Sequence, residues 1–353
     1  MKKLIISSIL VMLSLTIQAQ SVVGGANAIN NTYTFMAGLQ QVGAAENQPF
    51  CGAALIHPEW VLTAGHCAMD VFNGGGTLSE VEVIINAYSL QNPNTNYEKI
   101  KGDSVIPFPA YSLGQSMNDD IALIHLETPS IFTPILLPSE ADSILEAAGA
   151  QVRVLGWGIS DTANQQFRID TLQTTVIDVI ATSVCNESSR YNGGITDDMI
   201  CAGKLVGSAQ GAAAGDSGGP LFAEVNGQRI LLGAVSWGQQ RYSTSQYPGI
   251  YTKVRKYRNW IDQTITSIGL SEHFLERTTH IYQQGSTLKV EFQKPLEYET
   301  SLKLLDVSGR TLMEKELGPG QLEFELNVNQ APGLYIVNLQ SGNNGFSRKV
   351  VLR

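Results

Sequence analysis

The chain is short of charge: Asp, Glu, Lys and Arg make up only 16% of its 353 residues, against 43% hydrophobic ones. That scarcity argues against a disordered chain or a charged coiled coil, which need less apolar surface or far more charge. Basic residues number 23 against 32 acidic ones, for a formal charge of -9, and they form no run. Nucleic acid and anionic membrane are therefore not expected as main partners, because both are held by clustered Lys and Arg. After the N-terminus no stretch reaches the roughly 18 apolar residues of a membrane span, so the mature protein is expected to have no transmembrane segment. Cysteine is also scarce, with four residues at 51, 67, 185 and 201. No C-x-x-C pair or second nearby histidine completes a ligand set around His66 and Cys67, so no metal site is predicted.

What is present begins with a three-part leader. Lys2 and Lys3 precede an apolar stretch from residue 4 to 17, followed by small residues at Ala19 and Ser21. Residues 1–21 therefore read as a secretory signal peptide. In an exported chain the four cysteines favour two disulfides, and composition leaves three connectivities open. Pairing nearest neighbours joins Cys51 to Cys67 and Cys185 to Cys201, each closing a loop worth about 3 kcal/mol in the chain-entropy picture.

The length calls for two folded domains. From Val22 to about Val254, short apolar or alternating runs (53–56, 81–85, 152–155, 230–235) are separated by Gly, Asn, Pro and Ser, the pattern of an all-β sandwich or barrel. Tyr257, Trp260, Ile261, Ile265 and Ile268 fall on helical spacing with Gly269 as a stop. After Ser271 the alternation is clean (Leu288, Val290, Phe292; Leu322, Phe324, Leu326, Val328; Tyr335, Val337, Leu339), predicting a smaller β-domain. Its turns are carried by residues 306–310 and by Ala331-Pro332-Gly333.

Three segments carry chemistry. A serine hydroxyl needs a base to take its proton and a third group to orient that base. Gly215-Asp216-Ser217-Gly218-Gly219-Pro220 sets a serine in a turn where missing side chains let a carbonyl approach and backbone N–H groups converge. Thr63-Ala64-Gly65-His66-Cys67 supplies a histidine that a disulfide would hold. Asn118-Asp119-Asp120-Ile121-Ala122-Leu123 places a carboxylate at the head of an apolar run.

In this order the three segments resemble the chymotrypsin-like serine proteases. So do Val22-Val23-Gly24-Gly25, Leu155-Gly156-Trp157-Gly158, Ser236-Trp237-Gly238 and Pro248-Gly249-Ile250-Tyr251-Thr252-Lys253-Val254, over about residues 22–268. The resemblance implies an all-β protein: a two-barrel protease domain with a C-terminal helix over 22–270, then a linker at 271–279. It implies a serine endopeptidase acting through an acyl-enzyme, with Ser217 as nucleophile, His66 as general base and acid, and Asp120 fixing the imidazole tautomer. Asp119 is left as a solvated neighbour. The N–H groups of Gly215 and Ser217 would form the oxyanion hole. Asp216 would pair with a new amine at Val22, Ser236 would lie near Asp120, and Trp237 and Gly238 would meet substrate. No cofactor is required in this reading; calcium at the loop from Asp70 to Tyr88 is possible but not indicated. His57, His125, His273 and His280 match no motif and are read as surface or packing residues.

The position where trypsin-like relatives carry a pocket aspartate falls on Gly211, beside Ala212. With Gly238 and Gly249 in the walls and Tyr251 at the far end, the pocket is expected to be deep and apolar and to favour Phe, Tyr, Leu or Met. Two departures stand out: Ala213 replaces a bracing cysteine, and Gly65 a usual alanine. No Lys or Arg stands immediately before Val22, whereas Ala19-Gln20-Ser21 has the small-x-small form of a signal-peptidase site, so export alone is expected to free Val22, with cleavage after Ala19 and trimming of Gln20-Ser21 as the competing outcome.

Residues 280–353 resemble the C-terminal sorting domain of the type IX secretion system of Bacteroidetes. The resemblance rests on residues 304–310 (Leu-Leu-Asp-Val-Ser-Gly-Arg), 332–337 (Pro-Gly-Leu-Tyr-Ile-Val) and 348–352. This small antiparallel β-sandwich implies the type IX machinery as a partner and a secreted or cell-surface monomer, reached by Sec export and outer-membrane passage. Protein or peptide substrates are the other expected partners. The alternative is a catalytically silent protease homologue serving as a surface binding module.

Overall fold

The computed structural model describes residues 22–44, 47–70, 76–78, 80–92, 96–112, 117–159, 170–269, 279–292, 296, 299–341 and 344–352. The leader and most of the expected linker lie outside these residues. So do His273 and part of the loop from Asp70 to Tyr88.

Six strands form the first barrel: β1 (Met36–Gln40), β2 (Cys51–His57), β3 (Trp60–Thr63), β4 (Val81–Ile85), β5 (Glu98–Pro107) and β6 (Ala122–Leu126). They close in the order β1-β2-β3-β6-β5-β4, the ends meeting through Ala37 opposite Ile85. The second barrel holds β7 (Gln151–Gly156), β8 (Gln173–Ile180), β9 (Met199–Gly203), β10 (Pro220–Val225), β11 (Gln228–Trp237) and β12 (Gly249–Lys253). Its order is β7-β8-β9-β12-β11-β10, closed where Arg153 meets Phe222, so both barrels trace the same path. Closure leaves no open sheet edge. The fully buried side chains include Leu39, Leu55, Leu62, Ile84 and Leu123 in one barrel and Val154, Ile177, Leu221 and Leu232 in the other.

The barrels meet where glycine is required. The Gly52 N–H donates to the Ser217 carbonyl at 2.7 Å. A Cβ at Gly52 would lie 2.8 Å from Gly219 Cα, and one at Gly218 only 2.1 Å from Thr63 Oγ1. Both disulfides are the nearest-neighbour pairs, Cys51–Cys67 and Cys185–Cys201, with Cα separations of 6.2 and 6.7 Å. A helix, α1 (Arg258–Gly269), follows on the predicted spacing.

The chain divides between Arg258 and Asn259 into two compact units. Within the second unit β13 (Thr279–Gln284), β14 (Thr287–Phe292) and β17 (Glu323–Asn327) form one sheet. The other contains β15 (Thr300–Leu305), β16 (Thr311–Leu317), β18 (Gly333–Ser341) and β19 (Asn344–Leu352) in the order β16-β15-β18-β19. Alternate residues Leu288, Val290, Phe292, Leu302, Leu304, Val337 and Leu339 fill one core between them. Leu322, read as part of that face, is half exposed. The turn at Asp306 is a local device: its carboxylate accepts from the N–H groups of Ser308 and Arg310 and the Ser308 hydroxyl. These bonds, led by the hydroxyl, hold the Asp306 carboxyl below its ordinary range.

Candidate active site

His66 sits on a 3₁₀ turn, Gly65–Ala68, that β3 delivers and the Cys51–Cys67 bridge ties back to β2. Asp120 lies just ahead of β6 and is fully buried. Its carboxylate accepts three bonds: from the His66 backbone N–H at 2.7 Å, from His66 Nδ1 at 2.9 Å, and from the Ser236 hydroxyl. Thr252 Oγ1 donates to the Asp120 carbonyl at 2.7 Å, fixing the backbone as well. A buried carboxylate needs such partners, because burial without them costs several kcal/mol. Asp119, with φ +59°, instead accepts the Tyr257 hydroxyl at 3.0 Å. Neighbouring aspartates thus take different environments.

The Gly65 departure has a packing reason. A Cβ there would come within 2.9 Å of the Tyr111 ring. Tyr111 is thereby free to close beside Asp120; burial, then that negative charge, raises its phenol above the ordinary value.

Ser217 belongs to the turn leading into β10, and the bond from Gly52 sets its backbone against the disulfide that carries His66. On either side, Asp216 N–H donates to Ala213 O at 2.9 Å and Gly218 N–H to Val235 O at 2.7 Å. Among the described residues the amides of Gly215 and Ser217 have no backbone acceptor. Asp216 is fully buried, accepting from Gly158 N–H and Ala213 N–H, both at 2.8 Å. Its carboxylate explains two glycines of the 155–158 segment: a Cβ at Gly156 would lie 1.8 Å, and one at Gly158 2.7 Å, from the Asp216 carboxylate oxygen Oδ1.

Val22 is fully buried in the second barrel's core with Val152, Val154, Ala212 and Tyr251. Its φ of +48° is unusual for a β-branched residue, and the next residue bridges to Gly211. The one convergence of potential metal ligands among the described residues is Cys51, His66 and Cys67. Its sulfurs are bonded to each other, so they offer no thiolate.

Residues 22–261 match the sequence model of the trypsin family, and residues 284–353 match that of a secretion system C-terminal sorting domain. Trypsin-3 of Salmo salar is 34% identical over 252 residues, covering 70% of this chain and 93% of the relative. Trypsin of Sus scrofa is 33% identical over 248 residues, or 70% and 96% of the two chains. Transmembrane protease serine 11G of Rattus norvegicus is 36% identical over 242 residues, covering 67% of this chain and 54% of the relative. The chain belongs to the trypsin family.

This trypsin-family member is a serine endopeptidase with a type IX sorting domain at its C-terminus, which implies a secreted or surface location. No helix among the described residues is long and apolar enough to cross a membrane.

Beside Ser217 the trypsin-family domain has a cavity of about 120 Å³. Ala212, Gly238 and Gly249 line it, and so do Ser236 and Trp237. Gly211 and Tyr251 are absent from the lining. The space a side chain at 211 would take is occupied by Ser243, whose Oγ lies 2.6 Å from that Cβ position. Nor does the missing cysteine leave this wall loose. Residues 241–243 form a backbone ladder with 212–214: Ala214 N–H donates to Arg241 O at 2.7 Å and Ser243 N–H to Ala212 O at 2.9 Å, with Ala213 opposite Tyr242. Arg190 holds the next turn by donating to the carbonyls of Ser245 and Gln246.

Sequence reasoning missed Ser243, Arg190 and Tyr191. The last packs edge-on to Trp237 and donates its hydroxyl to Pro248 O. None belongs to a motif segment, and the only available signal was their closeness in sequence to Pro248-Gly249 or Cys185. His125 pairs with Asp103 at 2.6 Å and packs on Trp60, and His57 Nδ1 accepts from Glu59 N–H. His280 is exposed.

Proposed function

We propose that this endopeptidase cleaves protein and peptide chains after large apolar or aromatic residues, through an acyl-enzyme formed on Ser217. The observation that carries the reading is Asp120, buried and accepting from both His66 and Ser236, beneath a loop that sets Ser217 at the edge of a cavity without a carboxylate. His66 Nδ1–H donates to Asp120, which leaves Nε2 as the basic nitrogen, able to take the Ser217 proton and return it to the leaving amine. The amides of Gly215 and Ser217 receive the oxyanion, an interaction worth roughly 3 kcal/mol per donor in comparable sites. Gly238 offers backbone to an extended substrate. Selectivity for apolar side chains follows from the walls of Ala212, Ala213, Val235 and Gly249, since a lone buried cation has no counter-charge there.

Activation in this reading is the removal of residues 1–21. The released Val22 amine then pairs with Asp216, which already lies in the pocket cleared by Gly156 and Gly158. A signal peptide, passage across the outer membrane and the type IX machinery as partner complete the proposal, for a monomeric enzyme that needs no cofactor. Incubating a mixed peptide library with the exported protein and with Ser217→Ala tests it. Cleavage after Phe, Tyr, Leu or Met by the wild type alone is expected, from an enzyme whose N-terminal sequence starts at Val22. Fastest cleavage after Lys or Arg would overturn the pocket assignment, and retained activity in the alanine variant would overturn the nucleophile.

A further inference from the structure

One side chain that lines the pocket comes from outside the motif segments. Ser243 is 4% exposed and lines the cavity. Its Oγ lies 2.6 Å from where a Cβ on Gly211 would be and 2.9 Å from the corresponding point on Gly249. The two glycines that the sequence left as open space therefore frame a hydroxyl. That hydroxyl donates to Ala212 O at 3.1 Å, so its proton is committed and its remaining lone pairs can only accept.

The other polar side chains of the lining have different positions or tasks. Ser236 donates to Asp120, Ser217 is the proposed nucleophile, Gln240 and Arg241 are exposed, and Tyr242 and Tyr247 are partly buried. The hydroxyl is held in place by the ladder from Ser243 N–H to Ala212 O and from Ala214 N–H to Arg241 O. It is a fixed acceptor in the pocket wall.

We infer that Ser243 is a specificity-determining residue that selects tyrosine over phenylalanine before the scissile bond. The inference rests on the apolar-pocket reading above. A tyrosine hydroxyl that reaches Ser243 Oγ supplies the missing donor. A phenylalanine ring desolvates the same oxygen and leaves it without one. A lysine ammonium is also a donor, but among the described residues no carboxylate lines the cavity to balance its charge.

The test compares kcat/KM on peptides that differ only before the scissile bond, carrying Tyr, Phe, O-methyltyrosine or Lys, using the mature exported enzyme. The wild type should prefer Tyr to Phe by roughly three- to tenfold, the worth of one neutral hydrogen bond. O-methyltyrosine, which has no proton to give, should fall below Tyr. In Ser243→Ala the Tyr-to-Phe ratio should collapse to parity, and in Ser243→Thr, which keeps the hydroxyl, it should be retained. Equal wild-type rates on Tyr and O-methyltyrosine, or the same ratio in wild type and Ser243→Ala, overturn the inference while leaving the apolar pocket standing. The wild-type comparison decides even if the alanine variant does not fold. Fastest cleavage of the Lys peptide overturns the pocket reading itself.

Discussion

Installing an aspartate at Gly211 should not turn this enzyme into one that cuts after Lys or Arg. A carboxylate at that position looks like a simple specificity exchange. The structure opposes it twice. A Cβ on residue 211 would lie 2.6 Å from Ser243 Oγ and 2.7 Å from Ser243 Cβ, and φ there is +143°, where L side chains are strained. Overpacking of this kind costs about 1–3 kcal/mol, and the backbone strain a further ~1–3 kcal/mol. Together they amount to roughly 2–6 kcal/mol, which in a domain of this size lowers Tm by roughly 4–24 °C. Ser243 cannot retreat cheaply, because its N–H and hydroxyl are both bonded to Ala212 O. The assay is kcat/KM on matched Lys and Phe peptides together with calorimetric Tm, for Gly211→Asp and for the double variant with Ser243→Gly. The single variant should lose stability and gain no Lys cleavage. The double variant, which removes both close contacts, should recover part of the stability and show measurable Lys cleavage. A single variant that is as stable as the wild type and cuts after Lys would refute the reasoning.

Three further outcomes follow from the same geometry. Ser236→Ala removes a hydroxyl donor from a fully buried carboxylate, a loss of about 1.5–3 kcal/mol; kcat on a Tyr or Phe peptide should fall by roughly ten- to a hundredfold with KM little changed. Gly156→Ala would place Cβ 1.8 Å from Asp216 Oδ1, so the purified variant should show no measurable peptidase activity, and full activity would contradict the role given to that pocket. Burial holds the Tyr191 phenol up to about 12 from 10.0. Because the folded state favours the neutral form, this stabilisation is whole below pH 10 and is lost as pH rises through about 12. Tyr191→Phe should therefore make the fall of Tm across that window less steep, and an unchanged slope would count against the buried phenol.

Much of the site was legible because it is written in short segments. The turn around Ser217, the histidine beside Cys67 and the carboxylate ahead of an apolar run each combine residue types with a local backbone requirement. Spacing along the chain also suggested the disulfides, each linking residues 16 apart, and the period-two alternation of β14, β17 and β18. Asp120 could be preferred to Asp119 only by resemblance; the physical distinction is burial with three donors against a turn that reaches Tyr257.

By itself, then, the sequence determined the order of the chemical groups, the helix spacing and the β-character of both units. These depend on neighbours within a few residues or on simple periodicity. Only the tertiary structure decided that both barrels close along one path, that Gly156 and Gly158 clear space for Asp216, and that Tyr111 fills the space over Gly65. It alone brought Ser243 to the space in front of Gly211, and set a backbone ladder where a cysteine is missing. Those contacts join residues about 30 to 60 positions apart, and strand register, which no local pattern encodes, determines which of them meet.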